Sequence, residues 1–281
     1  MRVVRSVREM TRLSAGWRSR GLTVGFVPTM GALHAGHLAL IRRARRDNAR
    51  VIVSVFVNPL QFDPHEDFAR YPRPLAQDLR LARRAGADAL FYPTVAAMYP
   101  RGHATTVEVR RLTAGLCGRF RPGHFRGVTT VVMQLFAITQ PSSAYFGQKD
   151  AQQALVIRRM ARDLHLPLTI RLVPTVRDTD GLACSSRNAY LTLQQRQAAV
   201  RLYHALRQAR TAIRGGERNA SRVRRRALAF LRQGGRIRPD YVELVDFDEL
   251  RPLRRLRGRV LIAVAAWVGR TRLIDNVVVS V

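Results

Sequence analysis

The sequence predicts an α/β protein: a mostly parallel sheet covered by helices on both faces, followed by a smaller C-terminal α+β domain. Three observations predict it. Short β-branched runs alternate with helix-spaced segments up to about Pro174. Those runs close on proline, at Pro28, Asn58-Pro59, Pro93 and Pro174, as strands leaving a sheet do. Beyond Pro174 the alternation stops, and a polar loop, two long helical segments and returning strands take over. The expected domains are therefore residues 1–175 and 176–281.

In chain order, Leu22–Val27 reads as a buried strand, Gly31–Gly36 as a turn and Leu38–Arg46 as a helix. Val51–Val57 is a second strand, Leu75–Ala85 a helix and Ala87–Tyr92 a third strand. Val128–Thr139 reads as a helix, Ser143–Phe146 as a short strand, Ala151–Leu164 as a helix and Leu168–Val173 as a strand. Asp178–Tyr190 is a polar loop. Helices near Thr192–Arg214 and Ala220–Gln233 follow, separated by Gly215-Gly216, and strands return at Tyr241–Val245, Arg259–Val268 and Asn276–Val281.

The 281 residues are 47% hydrophobic, enough for a buried core. The apolar run Val260–Val268 is too short to cross a bilayer, and Met1–Arg20 lacks a signal-peptide apolar stretch. Cys117 and Cys184 form neither a disulfide framework nor a metal spacing, which points to a soluble cytoplasmic protein. The 49 Lys and Arg against 19 Asp and Glu give a net charge of +30. Such a balance invites a nucleic-acid reading. The arginines are spread along the whole chain, however, and their clusters at Arg42–Arg46 and Arg222–Arg226 lack interleaved aromatics. Composition alone accounts for them, and no membrane or specific nucleic-acid partner is expected. Lys149 is the only lysine, and a compact ammonium suits a phosphate contact that a planar guanidinium does not.

Five constellations carry chemistry. Pro28–His37 (PTMGALHAGH) follows a strand and opens a helix, a place where backbone N–H groups and the helix dipole attract phosphate. His34 and His37, three apart, can face one anion and donate to it, whereas no third ligand completes a metal set. Asn58-Pro-Leu-Gln61-Phe62 stands at the carboxyl end of the next strand, where open α/β sheets bind ligands; Gln61 suits a hydroxy acid but reads equally as an ordinary loop residue. In Arg121-Pro-Gly-His124-Phe-Arg126-Gly127, His124 is either structural or functional. Phe146–Gln153 (FGQKDAQQ) joins a strand to a helix, with Lys149 placed for phosphate and Asp150 for ribose or a helix cap. Cys184-Ser185-Ser186-Arg187-Asn188 suits triphosphate clamping by a mobile loop, with Cys184 a small buried thiol rather than a nucleophile.

These motifs, in this order and spacing, together with the tail Ala265–Asn276, resemble the pantothenate synthetase family over nearly the whole chain. The resemblance implies a Rossmann-like nucleotide-binding domain of the HxGH nucleotidyltransferase superfamily, with residues 176–281 as a lid domain. It implies an ATP- and Mg²⁺-using ligase that joins pantoate to β-alanine through pantoyl adenylate, releasing AMP and pyrophosphate, and that works as a homodimer. Met30, Gly31, Ala32, Leu33, His34, Ala35, Gly36 and His37, with Gly147, Gln148, Lys149 and Asp150, would line the ATP site. Val176 would lie beside adenine, and Cys184, Ser185, Ser186 and Arg187 would close on the phosphates. Gln61 and Gln153, with Asn58, would hold pantoate and β-alanine. His37 would be the proton donor, and His34, Lys149 and Arg187 would share the neutralisation of charge. Magnesium would ride on triphosphate oxygens, so no protein ligand is assigned to it. One departure is Cys117, where relatives commonly carry an acidic residue. The competing readings are an adenylyltransferase that stops at AMP transfer and an arginine-rich nucleic-acid-binding protein.

Overall fold

The structure, a computed structural model, describes residues 1–62, 68–233 and 235–281. The chain divides into two compact units. One comprises residues 1–110, 121–148 and 153–174; the other comprises 111–120, 149–152 and 175–281.

The first unit opens with strand β1 (Arg2–Val4) and helix α1 (Val7–Arg18), neither of which the sequence reading above anticipated. Strand β2 (Val24–Thr29), helix α2 (Ala35–Asp47), strand β3 (Arg50–Val55), helix α3 (Leu75–Ala85), strand β4 (Ala89–Phe91) and the short helix α4 (Val95–Met98) follow. Helix α5 (Cys117–Phe120) belongs to the second unit. Helix α6 (His124–Thr139), strand β5 (Ser143–Gly147), helix α7 (Ala151–Asp163) and strand β6 (Thr169–Val173) complete the parallel region, α7 giving its first two residues to the second unit. The six strands pair in parallel in the order β1-β4-β3-β2-β5-β6.

Alternate residues of the central strands serve opposite layers. Val27 joins the cluster formed with Leu40 and Ile41 of α2 and Ala82 of α3, while Phe26 meets Phe136 of α6 edge-on at 6.2 Å. Proline does not end β2 as the sequence suggested: Pro28 stays in register with Ser54. β5 pairs with β2 only at Gly25 and Phe26, so at Pro28 the missing N–H faces no second ladder.

The second unit has helices α8 (Leu193–Arg214) and α9 (Ala220–Arg232) and an antiparallel sheet of β7 (Ile237–Asp246), β8 (Arg259–Val268) and β9 (Thr271–Ser280). Thr192 caps α8 in a reciprocal box with Gln195. Ala199, Leu202, Leu206 and Ile213 of α8 pack with Val223 and Leu231 of α9 and with Val260, Ile262 and Val264 of β8. β9 starts five residues before the expected Asn276, because the hairpin turns at Gly269 with φ of +60°. Among the described residues no helix is long and apolar enough to cross a membrane.

Candidate active site

In the first unit the site begins where β2 hands over to α2. Gly31 and Ala32 both take left-handed backbone, at φ of +83° and +48°. The sequence suggested that the amides of this turn would cradle phosphate; the structure spends most of them on protein acceptors. Gly31 N–H donates to Thr29 Oγ1 at 3.1 Å, and Ala32 and Leu33 N–H donate to the two oxygens of Asp78 at 3.0 and 2.7 Å. His34 N–H donates to His37 Nδ1 at 3.4 Å and Gly36 N–H to His34 Nδ1 at 3.2 Å, a capping box built from two imidazoles. Each neutral ring therefore accepts at Nδ1 and carries its hydrogen on Nε2. The ring centroids lie 4.1 Å apart, so the two histidines stand side by side as donors. With most of its amides committed, this turn offers imidazole N–H groups rather than main-chain N–H groups as its donors.

The 3₁₀ turn Pro59–Gln61 stands beyond the carboxyl end of β3. Asn58 is 1% exposed, and all four of its side-chain bonds are made within the protein. Its Nδ2 donates to Gln61 Oε1 and to the Gly127 carbonyl, and its Oδ1 accepts from Leu60 N–H and from Tyr99 Oη. Burial keeps the Tyr99 phenol protonated well beyond its ordinary range, so it remains a donor. Asn58 thus aims Gln61, whose Nε2 reaches Met30 Sδ at 2.9 Å. The open question over His124 is answered by its partners. Arg121 Nη1 lies 3.0 Å from His124 Nε2 and can only donate, so His124 Nδ1 carries the hydrogen and donates to the Gln61 carbonyl at 2.8 Å. Arg121 Nη2 reaches the same carbonyl.

Gly127 completes the clamp by having no side chain. A Cβ there would stand 2.1 Å from the Leu60 oxygen and 2.7 Å from Gln61 N, both backbone atoms. Gly127→Ala is therefore expected to push α6 off this turn, lowering stability by ~1–3 kcal/mol and weakening whatever Gln61 binds. Thermal unfolding checks the first effect; an unchanged melting temperature would show that the approach is looser than drawn.

Asp78 and Tyr99 are site residues that the sequence reading missed. Asp78 was legible: Leu75, Asp78, Ala82 and Ala85 form one stripe of α3, and a carboxylate in a stripe that packs inward needs a partner. It also lines a cavity of about 200 Å³ with Met30, Val55, Phe56 and Tyr92. Gln153 is half-buried on the first turn of α7.

In the second unit, Lys149 lies in the 3₁₀ turn Gln148–Asp150, its side chain 19% exposed and its Nζ 3.7 Å from Asp150 Oδ1. Its carbonyl accepts from Asn276 Nδ2 at 2.9 Å. The neighbouring Asp275 is buried and takes a bidentate pair from Arg177 at 2.6 and 2.9 Å, with the guanidinium stacked 3.6 Å from the Tyr203 ring centre. Burial nevertheless raises the Asp275 carboxyl above its ordinary value. The loop from Val176 to Arg187 makes several bonds within the second unit. Cys184 N–H donates to the Val176 carbonyl, Cys184 Sγ to Asp178 Oδ1 at 3.2 Å, and Arg196 of α8 bridges Asp178 and Asp180. Ser185 Oγ caps the 3₁₀ turn Ser186–Tyr190 by accepting from Arg187 N–H. Cys117 is buried with its Sγ 3.2 Å from Tyr241 Oη and 3.7 Å from Arg272 Nη1, and Arg272 pairs with Asp240 at 2.8 Å. Arg272 Nη2 is buried without a hydrogen-bond partner, in keeping with a thiol being a weak acceptor.

A parallel sheet with an imidazole-built turn at its carboxyl edge defines a Rossmann-like nucleotide-binding protein. Known proteins narrow this. The pantoate–β-alanine ligase family model matches residues 2–278. The chain is 56% identical to the pantothenate synthetase of Moorella thermoacetica over all of this chain and 99% of that one, and 56% identical to that of Heliobacterium modesticaldum over both full lengths. Among solved structures, the pantothenate synthetase of Thermus thermophilus superposes with a TM-score of 0.92 at 48% identity, covering 99% of each chain. The pantoate–β-alanine ligase of Francisella tularensis, complexed with β-γ ATP and β-alanine, does so at 0.81 and 33% identity, covering 99% of this chain and 97% of that one. The chain belongs to the pantoate–β-alanine ligase family.

Proposed function

We propose that this protein joins pantoate to β-alanine using ATP. A pantoate carboxylate oxygen attacks the α-phosphorus, the bond to the bridging oxygen breaks, and pyrophosphate leaves. The β-alanine amine then attacks the acyl carbon of pantoyl adenylate, AMP departs with the bonding electrons, and the new amide nitrogen loses its proton. The observation that carries this reading is the pair of Nε2–H donors at His34 and His37. In-line displacement at phosphorus asks for positioning and neutralisation, not a covalent residue.

In this reading His37 and His34 donate to phosphate oxygens as charge develops, and Lys149 and Arg187 supply fixed positive charge. Met30–His37, Gly147–Asp150, Val176 and Cys184–Arg187 contact ATP. Gln61 and Gln153 hold pantoate, Gln61 lies near β-alanine, and Asn58 acts through Gln61 because its own amide is committed. Residues 1–175 serve as the ATP- and pantoate-binding domain and 176–281 as the second, lid domain. Among the described residues no group of three His, Cys, Asp or Glu side chains could cage a metal. That donor chemistry suits Mg²⁺, which keeps its waters and binds chiefly through substrate phosphates; when bound it would neutralise triphosphate charge. A homodimer in the cytoplasm, with no membrane or specific nucleic-acid partner, completes the reading; both cysteines are free thiols, as a reducing compartment requires.

The test is AMP release with each component omitted in turn. AMP should form only when ATP, Mg²⁺, pantoate and β-alanine are all present. Release at full rate without β-alanine would make the protein an adenylyltransferase instead.

A further inference from the structure

We infer that Asp78 is a positioning residue for adenylation: its carboxylate, through the main chain of Ala32 and Leu33, sets where the two imidazoles stand. The inference deepens the reading above and rests on it. Asp78 is 1% exposed, and its two oxygens accept from consecutive N–H groups of the turn that leads into His34. Between those groups and β2 the backbone is in left-handed space at Gly31 and, without glycine's freedom, at Ala32. Such a conformation persists only where its surroundings impose it. The contact is close on both sides: a Cβ on Gly31 would stand 2.9 Å from Asp78 Oδ2 and 2.9 Å from Val55 Cγ1. Leu33 also packs into the core with Leu40 and Ile41 of α2, while Asp78 borders the cavity lined by Met30, Phe56 and Tyr92, so the tether works together with packing to fix the turn.

A negative charge beneath an anion-binding turn is electrostatically the wrong sign, and it is poorly placed for stability as well. Burial raises the Asp78 carboxyl above its ordinary value even though both N–H bonds favour the ionised form. The native state therefore holds this proton more tightly than the unfolded chain does. The stability linked to it is present at low pH and is lost as pH rises through the raised native value. Above that raised value the ionised carboxylate works against the fold, which leaves geometry as what it provides.

Asp78→Asn removes the charge at constant shape but turns an NH₂ group toward one of the two amides, so only one bond survives. Pantoate-dependent pyrophosphate exchange should lose on the order of 10²-fold in kcat, the scale of a small misplacement of reacting groups. KM for ATP should stay within about threefold, and the melting temperature should change by no more than about 4 °C. Unchanged kcat would overturn the inference, and so would a kcat loss that merely follows a collapse of the melting temperature. Hydrogen exchange of the wild-type protein provides an arm that needs neither a variant nor turnover. The Ala32 and Leu33 amides should be protected like core amides, and exchange at loop rates would show that the tether does not exist. A wild-type protein that protects these amides yet shows no pantoate-dependent exchange would instead defeat the functional reading.

Discussion

Replacement of His37 by alanine is expected to lower the rate of adenylate formation about 10²–10³-fold, the cost of removing one donor aimed at developing charge. His37 has two jobs that different substitutions separate. Its Nδ1 accepts the His34 N–H as the far side of the capping box, and in the proposed reaction its Nε2 hydrogen is the donor. Glutamine at this position can keep the first bond, as Glu and Gln do in ordinary capping boxes, but has no imidazole to offer. His37→Gln should therefore match His37→Ala in lost activity while retaining more of the helix cap, a difference of ~0.5–2 kcal/mol in thermal unfolding. Wild-type pyrophosphate exchange in either variant would remove His37 from the chemistry.

Lys149→Ala should lose on the order of 10²–10³-fold in adenylation, and Lys149→Arg at least about tenfold although it keeps the charge. The structure adds the reason for the second figure. The turn that carries Lys149 is fixed at its carbonyl by Asn276, and the lysine side chain is already four-fifths buried at 19% exposure, so a longer planar head cannot be accommodated by shifting the backbone. The losses should appear mainly in turnover if the contact strengthens as pyrophosphate departs. Aminolysis of preformed pantoyl adenylate should suffer far less, because no pyrophosphate leaves in that step. Equal losses in both half-reactions would assign Lys149 to substrate placement in general.

The alternation of strands and helices was legible because its residues have little choice: a run such as Val51–Val55 is buried on both faces, and period and composition agree. β1 was not legible, since three residues at a sheet edge carry no periodicity. Helix α1 was, in retrospect: Met10, Ser14 and Trp17 are its buried face, and Ser6 three residues before Glu9 caps it. In the site, residue types at motif spacing were visible, but the direction of their hydrogen bonds was not. Pro-Gly-His124 could not reveal that its imidazole holds a carbonyl 63 residues away. Nor could Asn58 show that its whole amide is spoken for. Such assignments depend on which donors remain once the backbone has been satisfied, and that is decided in three dimensions.

The bond from Asn276 to the Lys149 carbonyl also sets a timetable for synthesis. The second unit gathers residues 111–120 and 149–152 with 175–281, and β9, which carries Asn276, is made after every other described strand. A chain emerging from the ribosome can assemble β1 to β6 early, because every strand of that sheet lies before residue 174. The turn that holds the only lysine must wait more than a hundred residues for its anchor. Through that interval the imidazole turn can already be in place while the ammonium is not, so partial chains are expected to bind nucleotide phosphates without turning them over.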